Sequence, residues 1–516
     1  MFLTVVVVAL GVSRLEARAQ GDHVARVNAV YAPIAKERRS DLVLFPLVAK
    51  MAPIPVAVNT LEQAVILPAD VASFKPAGAW AAAEPQQAII RALSSVTKEM
   101  DWRKAYAFGQ PYGADGVPAE LIRAGLYTDL GDPPTLAARR HLYAPSLEHM
   151  AILVNVEASR LVGEGKPSDA IDVLIDWAFF CRSVCDRQFF TEAAWGLNNL
   201  AQAYERIRDV AYTDMMGARV LDQTRLIAQI QRMAGDQYLD LNRMTFPIAN
   251  RAAVEQMIER VYVPRGRVDE RVFGTAMARL GSSEHPLRLF SETAQWRTGA
   301  SAQVDWFQIT EKTRGVFDDW ADRWKFPWFD ARQNLQTVWS TLEGSRNHDV
   351  LTATTPDLGK LAPRRQIAKL EGVGTRSALA ALGATYARQS LPPQLSAVRP
   401  RWLTALEDDP YNPNARTLGT PPPLEYFVPM RDTPKNARGE PEPYEMSVVT
   451  SDPAQPLSLR MTDDTFVIYS WGSDNAKNFA KRTQNTSATV QGADYLIWPP
   501  VSSLQRKNLR DLQRLK

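Results

Sequence analysis

The sequence has few of the residues from which disulfide and zinc sites are built. Its 516 residues include only two cysteines and five histidines. Two cysteines form at most one disulfide, so a scaffold held together by several disulfides is excluded. No histidine stands in an H-E-x-x-H motif or another helical zinc pair. The histidines are therefore interpreted as solvated or singly hydrogen-bonded side chains.

A strong charge of either sign is also missing. Sixty Lys and Arg against 57 Asp and Glu leave a net charge of +3. This balance predicts no strong attraction to nucleic acid, and the sequence has no base-reading motif. No apolar run reaches the roughly 20 residues that span a bilayer. We therefore expect no nucleic-acid partner and no transmembrane span, and leave peripheral membrane contact open.

Signature motifs of common enzymes are absent as well. The sequence has no P-loop, no G-x-S-x-G elbow and no complete dinucleotide fingerprint. The adjacent carboxylates Asp318-Asp319 and Asp463-Asp464 point in different directions, so neither pair is itself a catalytic dyad. We interpret them as solvated faces or caps. The sequence therefore assigns no catalytic residue, and an enzymatic activity is neither predicted nor excluded.

The N-terminus carries an export pattern. An unbroken apolar, Thr and Gly run covers Phe2 to Val12, and Ala17-Arg18-Ala19 forms an A-x-A-like site before Gln20. This pattern predicts a signal peptide at residues 1–19 and a mature protein in the periplasm or cell envelope. No Lys or Arg precedes the run, so the alternatives are a misplaced start codon and a buried strand.

Helical periodicity dominates the chain that follows, and residues 20–357 are expected to form an α-helical domain. Residues 42–71 contain several prolines and are expected to be extended and irregular. Cys181 and Cys185 share the apolar face of one predicted helix, so we interpret them as buried, reduced thiols. The predicted helices are 84–100, 147–163, 168–185, 189–211, 220–233, 251–261, 270–280, 303–324, 331–342 and 358–389, the last interrupted at 372–374.

The composition changes after Pro392. Prolines, glycines and asparagines cluster there, and short β-prone runs follow at 424–428, 446–449, 457–460, 466–469 and 495–497. Residues 502–516 are expected to be helical. The predicted fold is therefore mainly α, followed by a small α+β module at residues 358–516 that contains an antiparallel sheet and a C-terminal helix.

Three motifs in this module occur in a particular order: Asp409-Pro410-Tyr411, then Tyr469-Ser470-Trp471-Gly472-Ser473-Asp474, then Asp494-Tyr495-Leu496-Ile497-Trp498. In order and spacing they resemble the C-terminal β-domain of the major pseudopilins of type II secretion systems. The resemblance covers about Thr375 to Pro500. It implies that Asp409, Pro410, Tyr469 and Trp498 organise one small domain.

The resemblance also implies a metal site, because the sheet of that family is tied down by calcium in the loop after its Y-S motif. Ser470, Asp474 and Asp494 match the positions concerned. Calcium takes six to eight oxygen ligands, and the three Lys and Arg residues within 475–482 oppose it. Calcium at these three residues is the one cofactor considered; the alternative is a loop ordered by hydrogen bonds alone.

An aromatic stripe is the remaining candidate for chemistry. Trp320, Trp324 and Trp328 stand at i, i+4 and i+8, one turn after Phe317. Aromatic residues at this spacing either pack in a core or offer faces on which sugar rings can stack.

These features lead to three functional expectations. The first is a non-enzymatic, exported cell-envelope protein whose pseudopilin-like module contacts other envelope proteins. The alternative is a periplasmic hydrolase acting on glycans, with its site in the helical part. The third is a helical scaffold subunit of a larger assembly. The oligomeric state is not predicted.

Overall fold

The computed structural model confirms the predicted fold class, with about 56% of the chain helical and a six-stranded sheet at its C-terminal end. The predicted signal peptide, residues 1–19, lies outside the described residues. Within the described ranges, no helix combines the length and apolarity that a membrane span needs. The structure describes residues 23–99, 101, 103–234, 238–281, 286–411, 423–450, 454–486 and 490–515.

The α-helices are numbered here in chain order, after a short helical segment at 23–28. They are α1 Ser40–Val48, α2 Leu61–Ile66, α3 Lys75–Ala82, α4 Glu84–Thr97, α5 Ala119–Arg123, α6 Ala144–Gly163, α7 Pro167–Cys185, α8 Phe190–Met216, α9 Gln223–Ala234, α10 Ala249–Val261, α11 Glu270–Gly281, α12 Pro286–Gly299, α13 Trp306–Lys325, α14 Asp349–Thr354, α15 Leu361–Arg388 and α16 Val501–Asp511. Single 3-10 turns lie at Lys36–Arg38, Val56–Val58, Ala72–Phe74, Leu136–Ala138, Leu241–Arg243, Ala300–Ala302, Ala331–Asn334, Trp339–Leu342, Leu358–Lys360 and Leu395–Val398.

Helices α7 and α8 form the centre of the molecule, and α15 packs along α8. Gly196 lets α7 and α8 approach closely, because a Cβ at this position would lie 2.7 Å from the backbone nitrogen of Cys185. Cys181 and Cys185 are buried free thiols, as predicted. Burial raises the pKa of Cys185 to about 12, which keeps its thiol protonated and unreactive.

Three local predictions were wrong. Residues 42–71 include helices α1 and α2, and the Thr60 hydroxyl caps α2 by accepting a hydrogen bond from the Gln63 backbone N–H at 3.2 Å. Residues 331–342 form two 3-10 turns instead of one helix. Helix α15 continues through 372–374, where Gly374 is needed because a Cβ would lie 2.6 Å from Ile497.

Strands β1 Thr128–Asp129 and β2 Arg140–His141 form a separate ribbon, and the C-terminal sheet contains β3 Glu425–Phe427, β4 Tyr444–Val449, β5 Leu457–Met461, β6 Val467–Ser470, β7 Arg482–Gln484 and β8 Asp494–Trp498. The strand order of this sheet is β3-β6-β8-β7-β4-β5. The pairs β3/β6, β6/β8 and β4/β5 are antiparallel, whereas β7 runs parallel to both β4 and β8. The sheet is therefore mixed, which the sequence did not indicate.

One face of this sheet belongs to the main hydrophobic core. Phe466, Ile468 and Trp498 join the same buried cluster as the central helices. The Trp498 ring lies 5.3 Å from Tyr212 of α8 and stacks on Phe466 at 5.1 Å. The other face forms a smaller core with α16. The boundary proposed at residue 358 stays a prediction, but apolar packing crosses it.

Buried polar groups also join the helices to the sheet. In α15, the Glu371 carboxylate accepts a hydrogen bond from the Tyr495 hydroxyl at 2.6 Å and lies 2.6 Å from the Arg208 guanidinium of α8. One turn of α8 earlier, Glu205 accepts a hydrogen bond from the Ser502 backbone N–H of α16 at 3.1 Å. Because these groups are buried, their pairing fixes how α8, α15 and the C-terminal elements fit together.

Candidate functional site

A cleft of about 640 Å³ lies where the end of α13 meets the loop after β6. Its size falls within the roughly 300–1,000 Å³ that is usual for small-molecule sites. Aromatic rings of Trp320, Trp324 and Trp328 line one part of it, and Ser473 to Asn475 line another. The helical part and the C-terminal module therefore build this cleft together.

Helix α13 positions the tryptophans. It begins with a capping box, in which the Asp305 carboxylate accepts a hydrogen bond from the Gln308 backbone N–H at 2.9 Å. Trp320 and Trp324 are one turn apart near its C-terminal end, and Trp328 follows after the helix has ended at Lys325. The stripe predicted from the sequence is thus partly helical and partly in the following turn.

The two outer rings are held by specific contacts. Trp324 donates its indole N–H to the Met244 carbonyl oxygen at 3.1 Å, and the Arg365 guanidinium lies 4.3 Å from the Trp324 ring centre. Trp328 meets Tyr411 edge to face, with ring centres 5.5 Å apart. Such contacts fix both rings before any ligand arrives, which lowers the entropic cost of binding.

Two buried polar atoms that belong to lining residues have no hydrogen-bond partner in the part of the chain that the structure describes. They are the indole nitrogen Nε1 of Trp320 and the side-chain oxygen Oδ1 of Asn475. Gly359 also lines the cleft, and a Cβ on it would lie 3.5 Å from Trp320 Nε1. A buried unpaired donor or acceptor costs about 1–3 kcal/mol. Each atom is itself buried, so a polar ligand in the cleft can pair with it only after the neighbouring side chains shift.

The positive and negative side chains that line the cleft are equal in number, and most of them form hydrogen bonds within the protein. Two cations, Arg323 and Lys360, and two carboxylates, Asp357 and Asp474, line it. Asp357 accepts a hydrogen bond from the Gly359 backbone N–H at 2.9 Å, and Arg323 donates to Asp319 at 2.8 Å. The arrangement favours a neutral ligand over a strongly charged one.

The three residues suggested as calcium ligands, Ser470, Asp474 and Asp494, all form hydrogen bonds within the protein. The Ser470 hydroxyl donates to the Asp409 carboxylate at 2.9 Å. Asp474 accepts hydrogen bonds from the backbone N–H groups of Ala476 at 3.1 Å and Gly492 at 2.6 Å. Asp494 accepts one from the backbone N–H of Ala480 at 2.6 Å, and burial raises its pKa to about 6.

The carboxylates of Asp474 and Asp494 already accept hydrogen bonds from backbone N–H groups, which compete with a calcium ion for the same oxygens. Among the described residues, no group of three or more His, Cys, Asp or Glu side chains converges to hold a metal. Asp474 also lines the aromatic cleft.

Asp409, Tyr469 and Trp498 lie in or against the same sheet, whereas Pro410 contacts α15. The Asp409 carboxylate accepts a hydrogen bond from the Tyr411 backbone N–H at 2.9 Å, and the Pro410 carbonyl accepts one from the Gln366 side chain at 2.5 Å. Burial raises the pKa of Asp409 to about 6. Tyr469 lies in β6 and Trp498 in β8, which are hydrogen-bonded neighbours.

Comparisons with models of known families, with curated proteins and with solved structures find no match to this chain. The resemblance to pseudopilins therefore stays a hypothesis that depends on the motifs alone. The fold defines the class of the protein only as mainly α with a mixed C-terminal sheet.

Sequence reasoning found the tryptophans but missed Asn475 and Gly359. Asn475 has a positive φ of 54°, a backbone conformation in which asparagine is enriched. The Gly472-Ser473-Asp474-Asn475 run signals such a turn. Only the fold shows that this turn reaches a helix more than 100 residues earlier in the chain.

Proposed function

We propose that this chain is a non-enzymatic, exported cell-envelope protein that binds a neutral saccharide in the aromatic cleft. The observation that carries the proposal is the tryptophan-lined, charge-balanced cleft, whose lining residues Trp320 and Asn475 each hold a buried, unpaired polar atom.

Saccharide chemistry matches these features. Each hydroxyl group of a sugar can accept one hydrogen bond and donate another, so the hydroxyls of a single ligand suit both Trp320 Nε1 and Asn475 Oδ1 once the side chains that cover these atoms shift. The C–H faces of a sugar ring are apolar and suit the faces of Trp324 and Trp328. A neutral ring also leaves two existing contacts undisturbed, namely the hydrogen bond from Gly359 to Asp357 and the ion pair between Arg323 and Asp319.

Binding without hydrolysis is the version that the geometry supports better. Most glycosidases place two carboxyl groups on either side of the scissile bond, one of them free to donate a proton. Both carboxylates that line this cleft, Asp357 and Asp474, accept hydrogen bonds from backbone N–H groups of their own turns, and Asp474 accepts a second one from the backbone N–H of Gly492. In the glycan-hydrolase alternative, Asp357 and Asp474 would have to give up these hydrogen bonds in order to act on a substrate.

Export and partners are proposed on the sequence alone. The apolar run at Phe2 to Val12 supports export to the periplasm or cell envelope. The pseudopilin-like motifs support contacts between the C-terminal module and other envelope proteins. Calcium bound at Ser470, Asp474 and Asp494 remains a separate hypothesis from the same resemblance, and saccharide binding does not depend on it.

The test is a calorimetric titration of the protein with neutral oligosaccharides chosen from a glycan array. Asn475→Gly removes the unpaired acceptor and suits the positive φ at this position, so the fold should be retained. We expect this variant to bind about 2- to 10-fold more weakly, the effect of one hydrogen bond worth about 0.5–1.5 kcal/mol.

Phe307→Ala is the matched control. Phe307 lies in the first turn of α13, is 67% exposed and does not line the cleft. Its removal should leave the affinity unchanged. Equal affinities of wild type and Asn475→Gly, or a loss of affinity in Phe307→Ala, would contradict the assignment of the cleft.

A further inference from the structure

Strand β5 forms one end of the C-terminal sheet, and in the described part of the chain no strand pairs with its outer edge. Such an edge presents backbone N–H and C=O groups to which another strand can bind. Ser458 and Arg460 of this strand are exposed, whereas Leu457 and Leu459 are half-buried at the border of the smaller core. The edge is therefore both open and partly apolar.

The register of β4 and β5 shows which backbone groups of β5 point away from β4. The Ser447 backbone N–H of β4 donates to the Lys481 carbonyl oxygen at 2.8 Å, so it points towards β7 and away from β5. Ser447 lies opposite Ser458, and an antiparallel pair alternates between hydrogen-bonded and non-hydrogen-bonded positions. The Ser458 position is therefore non-hydrogen-bonded, and so is the pair of Glu445 with Arg460, two residues along. The backbone N–H and C=O groups of Ser458 and Arg460 thus point to the open edge.

A second copy of β5 fits these groups in an antiparallel register centred on Leu459. In this register Ser458 of one copy lies opposite Arg460 of the other, and the outward N–H and C=O groups of both positions face each other. The two copies then exchange about four backbone hydrogen bonds. Leu459 lies opposite Leu459 of the second copy, at a non-hydrogen-bonded position, where side chains on neighbouring strands come closest.

The neighbouring registers fit less well. A register centred one residue later would place Arg460 opposite Arg460 of the second copy, and like charges directly opposite each other destabilise a sheet. A register centred one residue earlier would place Arg460 opposite Pro456, which has no N–H to donate. In the register centred on Leu459, Arg460 meets a serine, and its charge also lies 4.0 Å from Glu445 on its own β4.

We propose that β5 is a self-association surface, at which two copies of this chain join their sheets edge to edge in the register centred on Leu459. Because only five residues of each copy pair, the interface is small, and the dimer forms reversibly as the protein concentration rises. Three strands separate β5 from β6, whose following loop lines the aromatic cleft. The proposal is therefore independent of saccharide binding.

Sedimentation velocity of the full chain over a range of concentrations tests this pairing. Ser458→Pro removes an outward N–H that β4 does not use, so the fold should be retained while the proline ring blocks a pairing strand. Ser458→Ala keeps this N–H and is the matched control. We expect wild type and Ser458→Ala to approach twice the monomer mass with rising concentration. Ser458→Pro should associate at least about tenfold more weakly, because two of the four hydrogen bonds are lost.

Circular dichroism checks that Ser458→Pro is folded. A wild type that stays monomeric at every concentration would overturn the proposal and leave the edge to a strand of another protein. Association that a folded Ser458→Pro variant does not weaken would place the contact elsewhere and overturn it equally.

A disulfide tests the register without proline. In the proposed pair the Cα atoms of the two Leu459 residues are about 4.5 Å apart, within the range that a disulfide spans. Leu459→Cys should therefore give a covalent dimer under mild oxidation. Leu457→Cys, at a likewise half-buried position, should not, because its two copies lie roughly 14 Å apart along the strands. Cys181 and Cys185 are buried and stay out of this reaction. Equal cross-linking of the two variants, or none in Leu459→Cys, would contradict the pairing.

Discussion

Glu205 is a single buried residue that should make stability depend on pH. It faces Glu371 on α15 and Arg208 and Asp209 on its own helix, and it accepts a hydrogen bond from the backbone N–H of Ser502 on α16. Burial and the nearby Glu371 charge raise the pKa of Glu205 to about 7 from its ordinary 4.5. The folded state therefore binds this proton more tightly than the unfolded state does.

The sign of the effect follows from this difference. Stability supplied by the bound proton is fully present below about pH 4.5 and is lost as the pH rises to about 7. The shift corresponds to at most about 3 kcal/mol at about 1.4 kcal/mol per pKa unit. Glu205→Gln cannot ionise, so its free energy of unfolding should fall less than that of wild type between pH 5 and pH 8.

Urea unfolding of both proteins at the two pH values measures this effect. Glu311→Gln, which alters an exposed ion pair with Arg314, is the control and should follow wild type. A Glu205→Gln variant with the same pH dependence as wild type would show that Glu205 is not the titrating group.

The three tryptophans and Asn475 show how much of the candidate site could be predicted from the sequence. The spacing of Trp320, Trp324 and Trp328 allowed either core packing or stacking on a ligand, and the structure shows core packing for one ring and a cleft lining for the other two. Trp320 is 2% exposed and packs in a core, while Trp324 and Trp328 are half-buried and line the cleft. Asn475 was not foreseen as part of the site because its role depends on a tertiary contact, which has no periodic signal.

At the scale of elements, Gly383 in α15 marks a close contact. A Cβ at this position would lie 2.3 Å from the Trp402 ring. Gly383→Ala should therefore destabilise the protein by about 1–3 kcal/mol through overpacking. Gly315→Ala in α13 meets nothing nearer than 3.8 Å and should stabilise by about 0.5–1 kcal/mol, the gain expected in a helix interior.

Thermal unfolding of the two glycine variants compares them directly. The expected result is a lower melting temperature for Gly383→Ala and an unchanged or higher one for Gly315→Ala. Melting temperatures that rise in both variants would mean that α15 and Trp402 are not in the close contact described.

Helices and strands could be predicted where apolar residues recur at a regular spacing along the chain. Helices α6 to α8 follow from their apolar faces, and five of the six sheet strands follow from β-prone runs bounded by turn residues. Strand β7 has only three residues, too few to show alternation. Pro46 led to an extended assignment, although α1 contains it. Gly374 suggested a break, yet it serves close packing of α15 on the sheet.

For the whole molecule, Trp498 tests how the helical part and the sheet depend on each other. It is fully buried and contacts Tyr212 of α8 and Phe466 of the sheet. Trp498→Ala should cost about 3–5 kcal/mol. Because apolar packing and the Arg208–Glu371–Tyr495 contacts cross the proposed boundary, we expect one cooperative unfolding transition that is shifted as a whole.

Limited proteolysis distinguishes this outcome from independent domains. If the whole chain of Trp498→Ala becomes susceptible together, the shared core governs stability. A resistant fragment that ends near Gln389, just after α15, would instead show that the helices fold without the sheet.

The central claim is that a saccharide binds against Trp320, Trp324 and Trp328, and fluorine NMR tests it most directly. Protein labelled with 5-fluorotryptophan carries a probe at each of its 13 tryptophans, and single Trp→Phe variants assign the signals. Addition of a saccharide selected by array binding should shift the signals of these three residues and leave that of Trp471, which lies in the loop after β6 and does not line the cleft, in place. Shifts confined to other tryptophans, or none at saturating saccharide, would contradict the account.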